Sequence, residues 1–171
     1  MTAVTTGGVY LGQCPTGQGV FAASQFRAGD EIMSVTGRAF DIGDLDAEAW
    51  MAFQDDVYPY QISPTRFLYA DGPAAFINHS CQPNCGVRPD MVIVALRPIA
   101  AGSHLTIDYS TIMAEDVWTM CGCECGEQEC RRIVRDFRYL PRAVQRRYLE
   151  AGVVPAFVAR ECSNALAGPP A

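Results

Sequence analysis

Three cysteines fall within eight residues, in Cys123-Glu124-Cys125-Gly126-Glu127-Gln128-Glu129-Cys130. Thiolates at that density suit a soft cation that takes four ligands in a tetrahedron at ~2.3 Å, which is the preference of zinc. The C-x-C-x4-C spacing in a glycine-containing loop supplies three corners, and a fourth must come from elsewhere in the chain. Cys121, in Cys121-Gly122-Cys123, offers one nearby thiol. Two further places carry polar groups out of an apolar setting. Asn78 and His79 follow the apolar run Ala75-Phe76-Ile77, and Tyr109 ends the stretch Leu105-Thr106-Ile107-Asp108-Tyr109. Taken singly, each is an ordinary structural side chain. Their chemistry depends on what the fold brings together.

The elements that must position these groups are short. Val9–Gly12 and Gly19–Ala23 read as strands around the turn Cys14-Pro15-Thr16-Gly17-Gln18. Glu31–Thr36 reads as a further strand, and Val57–Ile62 and Arg66–Ala70 as extended. Met91–Leu96 is a continuous apolar run, the pattern of a buried strand, and Leu105–Tyr109 is another. Asp44 is placed to cap a helix running to about Phe53. Pro141 opens a helix over Arg142–Glu150 that Gly152 closes. Many short strands with one or two helices predict a mostly β, α+β domain.

At 171 residues the chain suffices for one core and is short for two. A 49% hydrophobic content with 19% charged residues is that of a globular protein. No apolar run approaches the length of a membrane span, and Met1 to Gly8 lacks the basic and hydrophobic regions of a secretory signal. The expectation is therefore an intracellular protein, cytoplasmic with the nucleus left open, whose eight cysteines are thiols and metal ligands rather than disulfides.

Charge is uneven. Residues 1–130 hold five arginines against sixteen acids, a net of −11, and residues 131–171 hold eight against three, a net of +5. The overall −6 predicts no direct nucleic-acid partner. The acidic part would draw a cationic substrate, and the arginines after Arg131 form either a solvated basic face or a docking surface for an acidic partner. All thirteen basic residues are arginine. The chain therefore has no lysine side chain anywhere.

Four segments together resemble the SET domain family of protein-lysine methyltransferases. Phe76-Ile77-Asn78-His79-Ser80-Cys81-Gln82-Pro83-Asn84 is similar to its asparagine-histidine-x-cysteine signature, and Leu105 to Tyr109 to its leucine-threonine-x-aspartate-tyrosine strand. Gly17-Gln18-Gly19 is similar to its opening glycine turn, and Cys123 to Arg131 to its post-SET zinc motif. The four stand in family order over about two thirds of the chain. The resemblance implies a SET domain over 9–112, a post-SET zinc segment over 119–139, and a C-terminal helix and tail over 140–171.

It also implies a pseudoknot in which the Asn78 segment threads beneath the C-terminal strand. One structural zinc would be held by Cys81, Cys123, Cys125 and Cys130, with Cys121 the competitor for Cys81. S-adenosylmethionine would be bound by Gly17, Gly19, Phe76, Asn78 and His79, with Phe137 or Tyr139 closing over it. Tyr109 would be catalytic, in methyl transfer to the amine of a lysine in a protein or peptide.

Lysine ammonium has no lone pair and an ordinary pKa of ~10.4, so such a site must favour the neutral amine by desolvation. Asp108 is expected to be structural. Tyr58, Tyr60 and Tyr69 are candidates to line an acceptor channel. The chain departs from the family pattern at several points. Ala75 replaces a basic residue, Ile107 an aromatic, Val35 a tyrosine and His104 a glutamate. A small-molecule acceptor, or a binding module without catalysis, are the alternatives these departures leave open.

Overall fold

The computed structural model describes residues 5–6, 8–44, 59–115 and 118–167. Along the chain the strands are β1 (Thr5–Thr6), β2 (Val9–Cys14), β3 (Gly17–Ala22), β4 (Glu31–Ser34) and β5 (Gly37–Asp41). After the undescribed segment come β6 (Tyr60–Gln61), β7 (Arg66–Ala70), β8 (Asn78–His79), β9 (Cys85–Val87), β10 (Val92–Ala95) and β11 (His104–Ile107). The C-terminal part holds β12 (Thr119–Cys121), β13 (Ile133–Arg135), helix α1 (Arg142–Glu150) and helix α2 (Ala156–Ala167). Among the described residues the elements are mostly strands, with the two α-helices near the C-terminus, and this is the α+β class expected.

The strands form small sheets rather than one large one. One runs in the order β1-β2-β3-β11-β8, two others are β4-β10-β9 and β5-β7-β6, and β12 pairs with β13. β2 and β3 make a tight hairpin whose register, Cys14 opposite Gly17, leaves Pro15-Thr16 as a two-residue loop. Gly17 has a φ of +105°, a conformation that glycine adopts without strain. β8 lies parallel to β11, with Asn78 opposite Thr106 and His79 opposite Ile107. This pair is the contact expected where the Asn-His segment and the C-terminal strand cross.

Several readings shift on contact with the fold. β11 ends at Ile107 rather than Tyr109, because the Asp108 carboxylate accepts from the Ser110 N–H and turns the chain into a 3-10 turn over Tyr109–Thr111. β5, β8, β9, β12 and β13 carry too few residues for periodicity to declare them. The helix proposed after Asp44, and Tyr58, lie outside the described residues. The expected tail beyond Gly152 contains α2, whose Phe157, Val158 and Cys162 are buried.

Two apolar cores follow. The larger gathers Val9, Val20, Phe67, Ile77, Leu105 and Ile107 from the sheets. The smaller joins Val94 of β10 to Phe137, Leu140, Tyr148, Val153 and Phe157. The C-terminal helices are thus packed onto the sheet body, and one contact is especially close. A Cβ at Gly86 in β9 would lie 2.7 Å from Val153 side-chain carbons. Overpacking there has no flexible chain end to move aside. Gly86→Ala is expected to lower stability by ~1–3 kcal/mol. Thermal or urea unfolding checks this, and an unchanged midpoint would mean that the helices are not seated as described.

Candidate active site and metal centre

The post-SET-like cysteines do converge. The sulfurs of Cys81, Cys123, Cys125 and Cys130 all lie within 4.8 Å of one another, and Cys81 Sγ is 3.9 Å from Cys123 Sγ. Sulfurs on a zinc tetrahedron with ~2.3 Å bonds stand ~3.8 Å apart, so the four fit the ion in number, type and spacing. Cys121 is exposed and outside this group. The segment Cys81-Gln82-Pro83-Asn84 reaches the cluster because β8 is pinned beside β11.

The thiols need a cation to ionise together. Burial pushes Cys81 up to about 11 and raises Cys123 further, while the Arg132 backbone N–H brings Cys130 down to about 7. The Arg131 N–H donates to Cys81 Sγ at 3.4 Å, as donors around metal thiolates do. Cys85, buried and with its thiol pushed up to about 12, stands apart from the group.

Beside the cluster opens a cleft of about 330 Å3 lined by Asn78, His79, Tyr109, Met120, Glu124 and Thr16, among others. His79 is fixed on both sides. Its Nδ1 accepts from the Tyr109 backbone N–H at 3.1 Å, which places the proton on Nε2, 3.3 Å from Cys81 Sγ. Burial lowers its pKa to about 4, outweighing the nearby Asp108, so the 3.7 Å approach of Nδ1 to Asp108 is not an ion pair. Asn78 Nδ2 donates to Gln18 O at 3.1 Å and approaches His104 Nε2 at 3.2 Å. A Cβ on Gly19 would fall 2.6 Å from His104 Nε2 and 2.9 Å from Asn78 Nδ2. Gly19 therefore makes room for these two side chains. Gly17 and Gly19 themselves are not among the residues lining the cleft, whereas Thr16 is.

On the other side of Tyr109 lies a narrow cavity of about 50 Å3, lined by Tyr60, Ala70, Ala74, Ala75, Ile77 and Ile112 as well as Tyr109. The Tyr109 hydroxyl donates to Ile77 O at 2.8 Å, and the Tyr60 hydroxyl to Ala74 O at 2.9 Å. Burial, then the neighbouring Tyr109, raises the Tyr60 pKa, keeping it protonated. Tyr69 is elsewhere, stacked on Phe40 at 4.7 Å. Phe76 is exposed and does not line either cavity. Phe137 is fully buried in the smaller core, and Tyr139 is half exposed under the Arg135 guanidinium, 3.3 Å from its ring centroid. The structure puts Phe137 in the core because the 3-10 turn Phe137–Tyr139 seats it beneath α1.

A buried network that the sequence did not announce sits behind these groups. Asp108 receives Arg131 in a two-pronged pair, Nη2 to Oδ1 at 2.6 Å and Nη1 to Oδ2 at 2.8 Å. The Tyr148 hydroxyl from α1 donates to Oδ2 at 3.0 Å. Asp108 remains structural, as expected, but it links three segments. The available signal was position alone: Arg131 directly follows Cys130, the final ligand of the cluster.

With this geometry in place, the comparisons become informative. The SET domain profile matches residues 17–110. This chain belongs to the SET domain family. The SET chain is 31% identical over 134 residues to "Histone-lysine N-methyltransferase ATX2" of Arabidopsis thaliana, covering 70% of this chain and 12% of that protein. It is 28% identical to "Histone-lysine N-methyltransferase Su(var)3-9" of Drosophila melanogaster, over 70% of this chain and 23% of the relative. Among solved structures, KRYPTONITE in complex with mCHG DNA and SAH superposes with a TM-score of 0.54 at 25% identity, covering 71% of this chain and 27% of that one. A second KRYPTONITE structure, with mCHH DNA, H3(1-15) peptide and SAH, shares the fold at 24% identity. The SET chain thus spans about an eighth to a quarter of these proteins' length. Among the described residues, no helix is long and apolar enough to cross a membrane.

Two measurements check this site. Cys81→Ser should lower bound zinc and melting temperature together, because metal binding contributes folding free energy. Cys121→Ser should leave both unchanged, and the reverse pattern by elemental analysis would exchange their roles. Tyr148→Phe should destabilise by ~1.5–3 kcal/mol for one hydrogen bond to a buried charge. Asp108→Asn, which leaves Arg131 without its counter-charge, should cost more, ~3–5 kcal/mol. Denaturant unfolding measures both, and equal, small losses would remove Asp108 from the centre of the network.

Proposed function

We propose that this SET chain is an S-adenosylmethionine-dependent N-methyltransferase acting on the side-chain amine of a lysine in a protein. The observation that carries the reading is the place of Tyr109, which lines both the cleft beside Asn78 and His79 and the narrow cavity behind it. The named relatives are histone-lysine N-methyltransferases, and the KRYPTONITE structures hold SAH, the demethylated form of the cofactor. One of those structures also holds an H3 peptide, so a lysine-bearing peptide is the acceptor class we assign. Both hold DNA, so the exclusion of nucleic acid drawn from net charge is not carried forward.

The cleft fits a sulfonium ligand. No arginine lines it, His79 is neutral, Glu124 is at its edge, and the zinc-competent thiolates lie behind it. Among the described residues Asn78 Oδ1 has no hydrogen-bond partner and is free to accept from an ammonium. S-adenosylmethionine, when bound, supplies an activated methyl group. Asn78, His79 and Thr16 would hold it. Ala75, in place of the family's basic residue, leaves the carboxylate end without that partner.

The chain's own part in the reaction concerns the amine. A lysine side chain entering the cavity of Tyr60, Ala74, Ala75, Ile77 and Ile112 leaves water, and desolvation favours its neutral form. The Tyr60 and Tyr109 hydroxyls donate to Ala74 O and Ile77 O, which leaves their oxygen lone pairs to accept from the amine. They can take its N–H groups and turn its lone pair toward the cleft. Neither hydroxyl is arranged as a base, and the proton is lost to solvent before transfer. Alignment then supplies much of the rate.

Tyr109→Phe should keep the fold and hold cofactor affinity within a few-fold, yet slow turnover by roughly one to three orders of magnitude, at ~1.4 kcal/mol per tenfold. The wild-type rate should climb with pH from neutrality toward the ordinary lysine pKa of ~10.4, as the neutral amine fraction grows. Asn78→Ala should abolish the melting-temperature rise produced by the cofactor. Methyl transfer to lysine peptides, compared with a metabolite extract and measured over pH 7 to 10, tests the set. Transfer to a metabolite alone would move the acceptor to a small molecule, and cofactor binding without transfer to either would make this a binding module.

A further inference from the structure

A second cleft, larger than the one beside Tyr109, opens elsewhere on the molecule. It has a volume of about 610 Å3 and lies where α1 meets the sheet body. One side is Leu96-Arg97, just beyond β10, with Gln82 and Pro83, and the other is Arg147, Tyr148 and Ala151 of and after α1. Its size is in the ~300–1,000 Å3 range of small-ligand sites.

The charge of the lining says what would enter. Arg97 and Arg147, brought together from distant parts of the chain, both face the cleft, and neither has a carboxylate partner among the described residues. The other arginines of the C-terminal half that touch acids are committed: Arg131 to Asp108 and Arg138 to Asp136. Glu129 is the one acid lining the cleft, and it pairs with neither guanidinium. Two cations against one anion leave a net positive charge in a chain of net −6.

A guanidinium presents a planar fork that matches carboxylate and phosphate oxygens two at a time. The apolar lining with surface to offer is Leu96 and Ala151, whereas Tyr148 is buried with the Arg147 guanidinium 5.3 Å from its ring centroid. We infer that this cleft binds a small organic anion, its carboxylate or phosphate held by Arg97 and Arg147 and its apolar part against Leu96 and Ala151. The inference is independent of the methyl-transfer reading. The cleft shares no lining residue with the one beside Tyr109, although its floor is connected to that site through Tyr148 and Asp108.

The probe is phenyl phosphate, which combines the anion with a planar apolar group. It is titrated at constant ionic strength into the zinc-loaded full chain, followed by amide NMR. Saturable shifts should cluster at Leu96, Arg97, Arg147 and Ala151. Arg97→Gln and Arg147→Gln, both at exposed positions and expected to fold, should each weaken binding at least about tenfold, the loss of one charge-assisted contact. Arg66→Gln, exposed on β7 and remote from the cleft, should bind as wild type. Inorganic phosphate should bind at the same residues but more weakly, having no apolar part. The inference fails if no saturable shift appears at these residues, or if both cleft variants bind as wild type. It also fails if a polyglutamate peptide binds there while phenyl phosphate does not, which would make the surface a protein-docking face.

Discussion

The carboxylate of Asp108 is the point on which the rest of this structure depends. Its side chain is fully buried, and a buried carboxylate without partners would be prohibitively unfavourable. Arg131 and Tyr148 satisfy it from two directions, and the Ser110 N–H from a third. Each partner belongs to a different segment: the residue after Cys130, helix α1, and the turn that carries Tyr109. The cost of leaving any of these groups unpaired in the interior exceeds the modest net gain of the bond itself. The network therefore acts as a constraint on geometry more than as a source of stability. Tyr109 is set by it from one side and by the Ile77 carbonyl and His79 ring from the other.

The metal cluster applies the same logic at larger scale. Cys81 and Cys130 are separated by nearly fifty positions, and nothing but the ion can hold four thiolates at such spacing against their mutual repulsion. Binding zinc to them releases protons from Cys81 and Cys123, whose thiols are raised by burial. Because Arg131 adjoins Cys130 and donates its N–H to Cys81, closure of the metal site and formation of the Asp108 pair are one event in space. His79 couples the cluster to the cleft through Nε2 and Nδ1, so the tautomer needed at the metal is also the one that accepts from Tyr109.

What was legible in the sequence is what depends on local chemistry. Cysteine spacing declared a zinc centre, and the hairpin turn, the apolar run of β10 and helix α1 followed from periodicity and turn residues. The order of four motifs gave the family and the expectation that the Asn78 segment passes beneath the C-terminal strand, whereas the parallel register of Asn78 with Thr106 is a feature of the structure. What was not legible depends on long-range placement. A two-residue strand such as β8 has no period to read. Aromatic type alone leaves Phe137 open between a lid over the cofactor and core packing of the final helix, and only the docking of α1 encloses it. Helix α2 follows Pro155 as α1 follows Pro141, but its apolar residues are less cleanly confined to one face, so its period is weaker. The Asp108 network was invisible for the same reason: its members are separated by 23 and 40 positions, with no spacing rule connecting them.

For the proposed reaction the hardest electrostatic demand is that two cations, a sulfonium and an ammonium, come close together. At ~4 Å and an effective dielectric of ~20, two unit charges repel by ~4 kcal/mol. The site meets this demand by composition. Among the described residues no arginine lines the cleft or the acceptor cavity, His79 in the cleft is neutral, and Arg131 is paired with Asp108. The zinc thiolates add negative charge behind the cofactor side. Among the described residues the acceptor cavity is lined by apolar groups and two tyrosines, a setting that favours the neutral amine, which is the form that can react. Ala75 and Ala74 belong to the same solution. A basic residue at position 75 would have added a third cation near the channel, and its replacement by alanine exchanges one contact to the cofactor for a quieter field around the amine.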